Sequence, residues 1–380
     1  MKYKVIIVGG GASGLMLASL LPKNTTLVIE SNAKLAAKVH VSGGGKCNIT
    51  NSKMGSEYFL ADKEFIAPAL KKFNEKSLLS WLSRQGLEPE IRKETQYFCK
   101  NSSKELVTIL EKESRKQSVH LNENVLSASK KSGIFFVQTN KNLYECQHLV
   151  IASGGLSFPK LGASSVGYDL AISFGHSVTK VAPALVGFTV QKEQFFFKEL
   201  SGASCDVEIE VSNEICSGAL LFTHKGMSGP AILDASLFWE KGKIKIDFLP
   251  AFNWKTIKDS RKNISTLLPL PKRITKAFLV QFNLSDKPFN MMSVEEIEKL
   301  KVLNHYILSP AGTFGYSKAE VTKGGIDTDE IEKETMMSKK EEALYFLGEV
   351  LNVTGKLGGY NFQWAFSSAY VCSRDLKGKI

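Results

Sequence analysis

Lys4-Val-Ile-Ile-Val-Gly-Gly-Gly-Ala-Ser-Gly14, followed closely by Thr26-Leu-Val-Ile-Glu30, decides the reading of this chain. The apolar run before the glycines reads as a buried strand, and Ala12 to Leu21 reads as a helix. Gly9, Gly11 and Gly14 fit G-x-G-x-x-G. The first permits a tight turn, the second lets backbone approach a pyrophosphate, and the third lets helix and strand pack closely. At Ala12 and Ser13 the helix N-terminus offers N–H groups and a positive dipole end to phosphate. Glu30, with Ser31 after it, closes the second strand where a carboxylate can accept hydrogen bonds from ribose hydroxyls. Strand, turn, helix and terminal acid together predict a dinucleotide site.

The charged start at Lys2 and Lys4 also looks like a secretory signal. The glycine triplet would break that helix and no A-x-A cleavage site follows, so a cytoplasmic protein is expected. Composition agrees: 380 residues, 43% hydrophobic and 23% charged, are ordinary for a globular protein of two or three domains. No run reaches the roughly 18–20 apolar residues that a membrane helix needs. Six cysteines occur without any C-x-x-C, and the histidines lack ligand spacing, which argues against a metal site or a dithiol relay. The net charge of +11 permits attraction to polyanions, but lysine and arginine are spread along the sequence, so a solvated surface is expected before a nucleic-acid groove.

Further glycine-rich segments follow. Ser42-Gly43-Gly44-Gly45-Lys46-Cys47-Asn48 reads as an irregular loop able to approach a large planar or anionic ligand. Residues 63–115 read as largely helical. Apolar runs recur at Val119 to Leu121, Ile134 to Thr139 and His148 to Ala152, the last running into Ser153-Gly154-Gly155. Short strands are expected at 187–189, 206–211, 219–223 and 243–248, then helices at 254–267, 271–282 and 293–306, with a capping box in Ser293-Val-Glu-Glu296. Near the C-terminus a strand runs into Gly348-Glu349, and Gly358-Gly359-Tyr360-Asn361-Phe362-Gln363 opens a helix. A tail this short completes the first sheet rather than forming a domain of its own.

Ser42 to Asn48 with Thr50-Asn51, Leu221-Phe-Thr-His-Lys-Gly-Met-Ser-Gly-Pro-Ala231, Glu334-Thr-Met-Met-Ser-Lys339, and Gly348-Glu-Val with Gly358 to Ala365 carry a resemblance. In order and across nearly the whole chain, the sequence resembles the aminoacetone oxidase-like, YhiN-type (HI0933-like) family of FAD-binding flavoproteins. The resemblance implies an α/β fold: a discontinuous Rossmann-like FAD-binding domain (1–185 and 335–380), a β-barrel-like insert forming a substrate domain (186–252 and 311–334), and a small helical subdomain (253–310). It places Gly9, Gly11, Ala12, Ser13, Gly14, Glu30 and Ser31 at the ADP half, with Val125 touching adenine through its main chain. Lys38, Ser42 to Asn48, Ser153, Gly154, Gly155, Gly348, Glu349 and Gly359 to Gln363 would border the rest of the cofactor, Glu349 at the ribityl chain. The family's Gly-Arg-Lys is Ala36-Ala37-Lys38 here.

A flavin carries the redox chemistry, so an obligatory acid–base residue is not required. The resemblance implies hydride removal from a small molecule, such as the primary amine aminoacetone, with oxygen or another acceptor. His224 and Tyr360 are the substrate-side candidates. The alternatives are an NAD(P)H-dependent reductase of C=C bonds and a non-enzymatic flavoprotein with a basic nucleic-acid-binding surface.

Overall fold

Strand Lys2–Val8 forms as the glycine pattern predicts and lies in the middle of a sheet. The computed structural model describes residues 1–380. The sheet runs Ser118–His120, Thr26–Ile29, Lys2–Val8, Leu143–Ile151, Ile134–Thr139, Val125–Lys131, with Leu344–Phe346 also paired to Leu143–Ile151. Lys2–Val8 is parallel to both its neighbours, and Leu344–Phe346 is parallel to Leu143–Ile151. Val5 to Val8 and Thr26 to Ile29 are buried throughout, as strands covered on both faces must be. Register matters most for function. Val8 lies opposite both Ile29 and Ile151, and Ile151 lies opposite Phe346. The chain therefore leaves four neighbouring strands at one level, through Gly9, Glu30, Ala152 and Leu347. That carboxyl edge is where open α/β sheets bind ligands.

Helix Ala12–Leu20 packs against the C-terminal helix Tyr360–Lys377, and both join the core of the sheet. One compact unit comprises Met1–Pro183 with Glu320–Ile380, and Ala184–Ala319 is another. Residues 320–334, expected in the insert, belong to the first unit, which carries both ends of the chain. A second difference lies in 85–103, read from sequence as part of a helical region. There Asn48–Asn51, Gln96–Phe98 and Glu90–Arg92 form a small antiparallel sheet. Three-residue strands are too short to display a period.

The Ala184–Ala319 unit holds an antiparallel sheet ordered Tyr306–Leu308, Ile244–Asp247, Ser204–Val211, Glu214–Thr223, Gly226–Ser228, Phe188–Thr189, Gly312–Thr313. Ser204–Val211 alternates strictly, with Cys205, Val207, Ile209 and Val211 inward. Helices Lys272–Gln281 and Val294–Lys301 share the sheet's core rather than building their own: the Phe278 ring lies 5.0 Å from Phe248 and 5.5 Å from Tyr306. The Ser293–Glu296 capping box is present.

A hydrogen-bonded knot fastens residues 175–177 to 330–340 in the first unit. His176 is buried, its Nδ1 3.0 Å from Glu330 Oε2 and its Nε2 2.7 Å from Ser338 Oγ. Burial holds the His176 imidazole below its usual range. Burial alone would raise the Glu330 carboxyl, but hydrogen bonds from Lys340 and the Ser177 N–H outweigh it and bring the carboxyl down to about 2. The unfolded chain binds a proton at His176 below about pH 6.5 and at Glu330 below about pH 4.3, where the native state does not. Stability should fall as pH drops through both windows, with Glu330 contributing on the order of 3 kcal/mol by pH 2. Urea unfolding of the apoprotein from pH 8 down to about pH 2 should show the decline through both windows. A Glu330→Gln variant that keeps the full acid dependence would exclude this knot as its source.

Candidate cofactor site

Each glycine of the first turn has a separate steric reason. Gly9 adopts φ +110°, and a Cβ there would lie 2.5 Å from the Ala152 carbonyl oxygen on the adjacent strand end. A Cβ at Gly14 would lie 2.0 Å from the Gly9 carbonyl oxygen, so no other residue lets the helix sit this close. At Gly11 a Cβ would meet nothing within 4 Å. Gly11 is therefore small for something the protein itself does not supply. It caps helix Ala12–Leu20 without any side-chain hydrogen bond, and the first turn carries no acid. The leading N–H groups of that helix are left for an anion.

Glu30 is buried and held from both sides. Its Oε2 accepts from Gly10 N–H at 2.8 Å, and its Oε1 accepts from the backbone N–H and the side-chain amide of Asn32, each at 2.8 Å. Ser31 Oγ is 3.3 Å from the same oxygen. Three of these donors crowd Oε1, whereas Oε2 carries only Gly10 N–H, so one of its two acceptor positions remains for a hydroxyl. The Glu30 carbonyl accepts from Glu123 N–H at 3.0 Å, which brings the Val125 strand start to the same edge.

The neighbouring strand ends are stitched together by a residue the sequence did not single out. Thr322, fully buried, accepts at Oγ1 from the N–H groups of Leu156 (2.8 Å) and Ser157 (3.1 Å), while its own N–H donates to Glu349 Oε1 at 2.8 Å. Glu349 Oε2 pairs with Lys38 Nζ at 2.6 Å. A Cβ at Gly155 would strike Thr322 at 2.6 Å, and one at Gly348 would strike Ser13 Oγ at 2.9 Å. Ser153 to Gly155, Gly348-Glu349, Lys38 and Ser13 thus converge. Replacing Thr322 by valine keeps the shape but leaves the buried Ser157 N–H and the half-buried Leu156 N–H without their acceptor. The expected cost is about 2–3 kcal/mol, measurable by denaturant unfolding of the apoprotein.

The Ser42 to Asn48 segment is less irregular than its glycines suggest, because a helical stretch starting at Ala37 leads into it. Ser42 is then extended, Gly43, Gly44 and Gly45 have φ +55°, +65° and +85°, and Cβ atoms at Gly44 and Gly45 would meet nothing within 4 Å. Gly359 approaches the following strand so closely that a Cβ would sit 2.7 Å from Asn48 Oδ1 and Thr50 O. The two segments expected around one ligand are adjacent.

Several side chains expected at the ligand are committed elsewhere. Gln363 is buried against Thr50 Oγ1 (2.6 Å), Phe73 O (2.8 Å) and Ser367 Oγ (3.0 Å). Asn361 clamps both backbone groups of Gly355 at 2.8 and 2.9 Å. Tyr360, the substrate-side candidate, is buried and stacks on Tyr58 at 4.8 Å. Phe362 stacks on Phe366. What this end offers a ligand is the uncapped N-terminus of helix Tyr360–Lys377. Cys47 is also turned inward, its thiol hydrogen-bonded to Cys99; that bond and burial push the Cys47 thiol up. The fold thus places two thiols together that spacing alone did not connect. His224 occupies an exposed hairpin turn between Glu214–Thr223 and Gly226–Ser228 in the other unit.

The open cradle at Gly11, the uncapped helix and the free space at Gly44 and Gly45 fit an extended dinucleotide. The chain matches the HI0933-like protein Rossmann domain over residues 3–375. It is 36% identical over 392 residues to the ribosomal RNA dihydrouridine synthase of Escherichia coli, covering 99% of this chain and 98% of that protein. It is 36% identical over 395 residues to the enzyme of the same name from Haemophilus influenzae, covering 98% of each. The 3-dehydro-bile acid delta(4,6)-reductase of Clostridium scindens is 28% identical over 405 residues, covering 98% of each. The fold is similar to that of FrdA from Escherichia coli quinol fumarate reductase, with TM-score 0.53 and 10% identity over 100% of this chain and 70% of that one. With its glycine cradle intact and the match running almost end to end, the chain belongs to the HI0933-like Rossmann family and is an FAD-dependent oxidoreductase.

Proposed function

We propose that this protein reduces the C5=C6 bond of uridine in ribosomal RNA, with a nicotinamide nucleotide as the hydride source. The observation that carries the reading is the 36% identity, over essentially the full length of both chains, to two proteins named for that product. The more distant relative is likewise named as a reductase, of delta(4,6) double bonds, so the named activities share one reaction class. A net charge of +11 suits a polyanionic substrate. FAD, when bound, supplies hydride transfer. The protein's part is to hold it: the ADP portion along Gly9 to Gly14 with Glu30, and the ribityl and ring portion among Lys38, Ser42 to Asn48, Ser153 to Gly155, Glu349 and the Gly359 end of the last helix. An rRNA substrate also implies a cytoplasmic location.

The test is to incubate the holoenzyme with NADH or NADPH and unmodified ribosomal RNA, and measure dihydrouridine by mass spectrometry of the digested nucleosides. Formation of dihydrouridine is the expected result. Flavin bleached anaerobically by aminoacetone alone, with peroxide formed in air and no dihydrouridine, would overturn it in favour of an amine oxidase.

A further inference from the structure

We infer that the rim of the Ser42 to Asn48 loop is the docking surface for the RNA backbone, with Lys46, Lys53, Lys93, Lys100 and Lys104 as its phosphate contacts. The inference rests on the RNA reading above. In sequence Lys53, Lys93, Lys100 and Lys104 are scattered and unremarked, and Lys46 stands out only as part of the cofactor loop; the fold gathers them. Cys99 N–H donates to the Lys46 carbonyl at 3.0 Å, which sets Lys100 beside Lys46. Ser103 N–H donates to the Gly45 carbonyl at 2.8 Å, which brings Lys104 to the same loop. Ser52 N–H donates to Thr95 O at 2.8 Å, so Lys53 and Lys93 extend the row along the small sheet.

Lys53, Lys93, Lys100 and Lys104 are exposed, and Lys46 is half-buried. The cations nearby that do form ion pairs, Lys38 with Glu349 and Arg92 with Glu90, are different residues. The interleaved acids are Glu94, which is exposed, and Glu105, whose Oε1 is occupied by the N–H groups of Asn101. Lys104 also sits in the first turn of helix Lys104–Ser114, where the dipole disfavours a cation. That placement adds positive potential at the loop instead of stabilising the helix. The cofactor does not account for this charge, because its two phosphates have their cradle at Gly9 to Gly14. An enzyme acting on one base of a polymer must hold the flanking phosphates next to its reacting centre. The loop that borders the ring end of the site has the cations to do so.

The experiment is fluorescence anisotropy of a labelled ribosomal RNA fragment with FAD-loaded protein across ionic strength. Lys93→Ala, Lys100→Ala and Lys104→Ala combined should weaken binding more than tenfold near 0.1 M salt. Each lost phosphate contact should lower the slope of log K against log salt by about 0.7–0.9. FAD content should match that of the parent protein. A control removing equal charge from the other unit, Lys255→Ala, Lys258→Ala and Lys262→Ala, should leave the slope unchanged. Equal weakening by the control would reduce the effect to net charge and overturn the surface. If the parent makes dihydrouridine and the rim variant binds RNA normally, this inference alone fails. If the parent neither binds RNA nor makes dihydrouridine, the functional reading fails with it.

Discussion

Gly11→Val should yield a folded protein that retains no FAD. Its backbone, at φ −86° and ψ −165°, is extended and open to any residue, and the space beside it is empty within 4 Å. Valine is a poorer helix cap than glycine, so the apoprotein should lose no more than about 1 kcal/mol. The isopropyl group would fill the space reserved for the pyrophosphate and block its approach to the leading N–H groups. Losing those charge-assisted bonds should weaken FAD at least about 100-fold, or nearly 3 kcal/mol. Flavin absorbance after gel filtration, beside a denaturant melt of the apoprotein, separates the two effects. Parental flavin content in the variant would sink the assigned cradle.

Gly14→Ala acts on the other side of the same turn and should fail differently. The added methyl would sit 2.0 Å from the Gly9 carbonyl oxygen, a backbone atom fixed by its own strand end. Neither partner can rotate away, so helix Ala12–Leu20 must move off strand Lys2–Val8. A cost of about 3 kcal/mol or more is expected, at the upper end of overpacking effects. For a unit of this size that corresponds to a fall in the melting temperature of roughly 6–12 °C. Here both stability and FAD retention decline, whereas Gly11→Val spares the fold. An apoprotein of parental stability carrying Gly14→Ala would show that the close helix–strand approach is not required.

The contrast between these glycines shows what was legible beforehand. The turn could be read because its steric demands are local: strand, turn and helix are consecutive, Gly9 and Gly14 answer to an atom on the adjacent strand end or a few residues away, and Gly11 lies open between them. The completion of the sheet by the C-terminal tail could also be read, since an apolar run ending in glycine is the same local pattern. Thr322 could not. Its importance lies in accepting from Leu156 and Ser157 and donating to Glu349, all distant in sequence, and a threonine in a short strand has no distinguishing period. The side-chain partners of Gln363 and Asn361 were hidden for the same reason: a helix start fixes where the backbone N–H groups point, but tertiary packing decides that these two amides face inward. The lysine rim escaped notice because hydrogen bonds between separate segments, not sequence spacing, assemble it.

The pairing of Leu149 with Leu344 has its consequence during the making of the protein. Synthesis runs from the N-terminal side, so the glycine turn and all of Ala184–Ala319 emerge before strand Leu344–Phe346 exists. Until then the Leu149 to Ile151 end of strand Leu143–Ile151 keeps an unpaired edge, and Gly348, Glu349 and the last helix are absent from the site. A nascent or truncated chain therefore cannot close around its flavin. Acquisition of colour becomes a readout of translation through the last helix, and products that stop before Leu344 are left with a bare edge at Leu149 to Ile151 for chaperones and proteases to find.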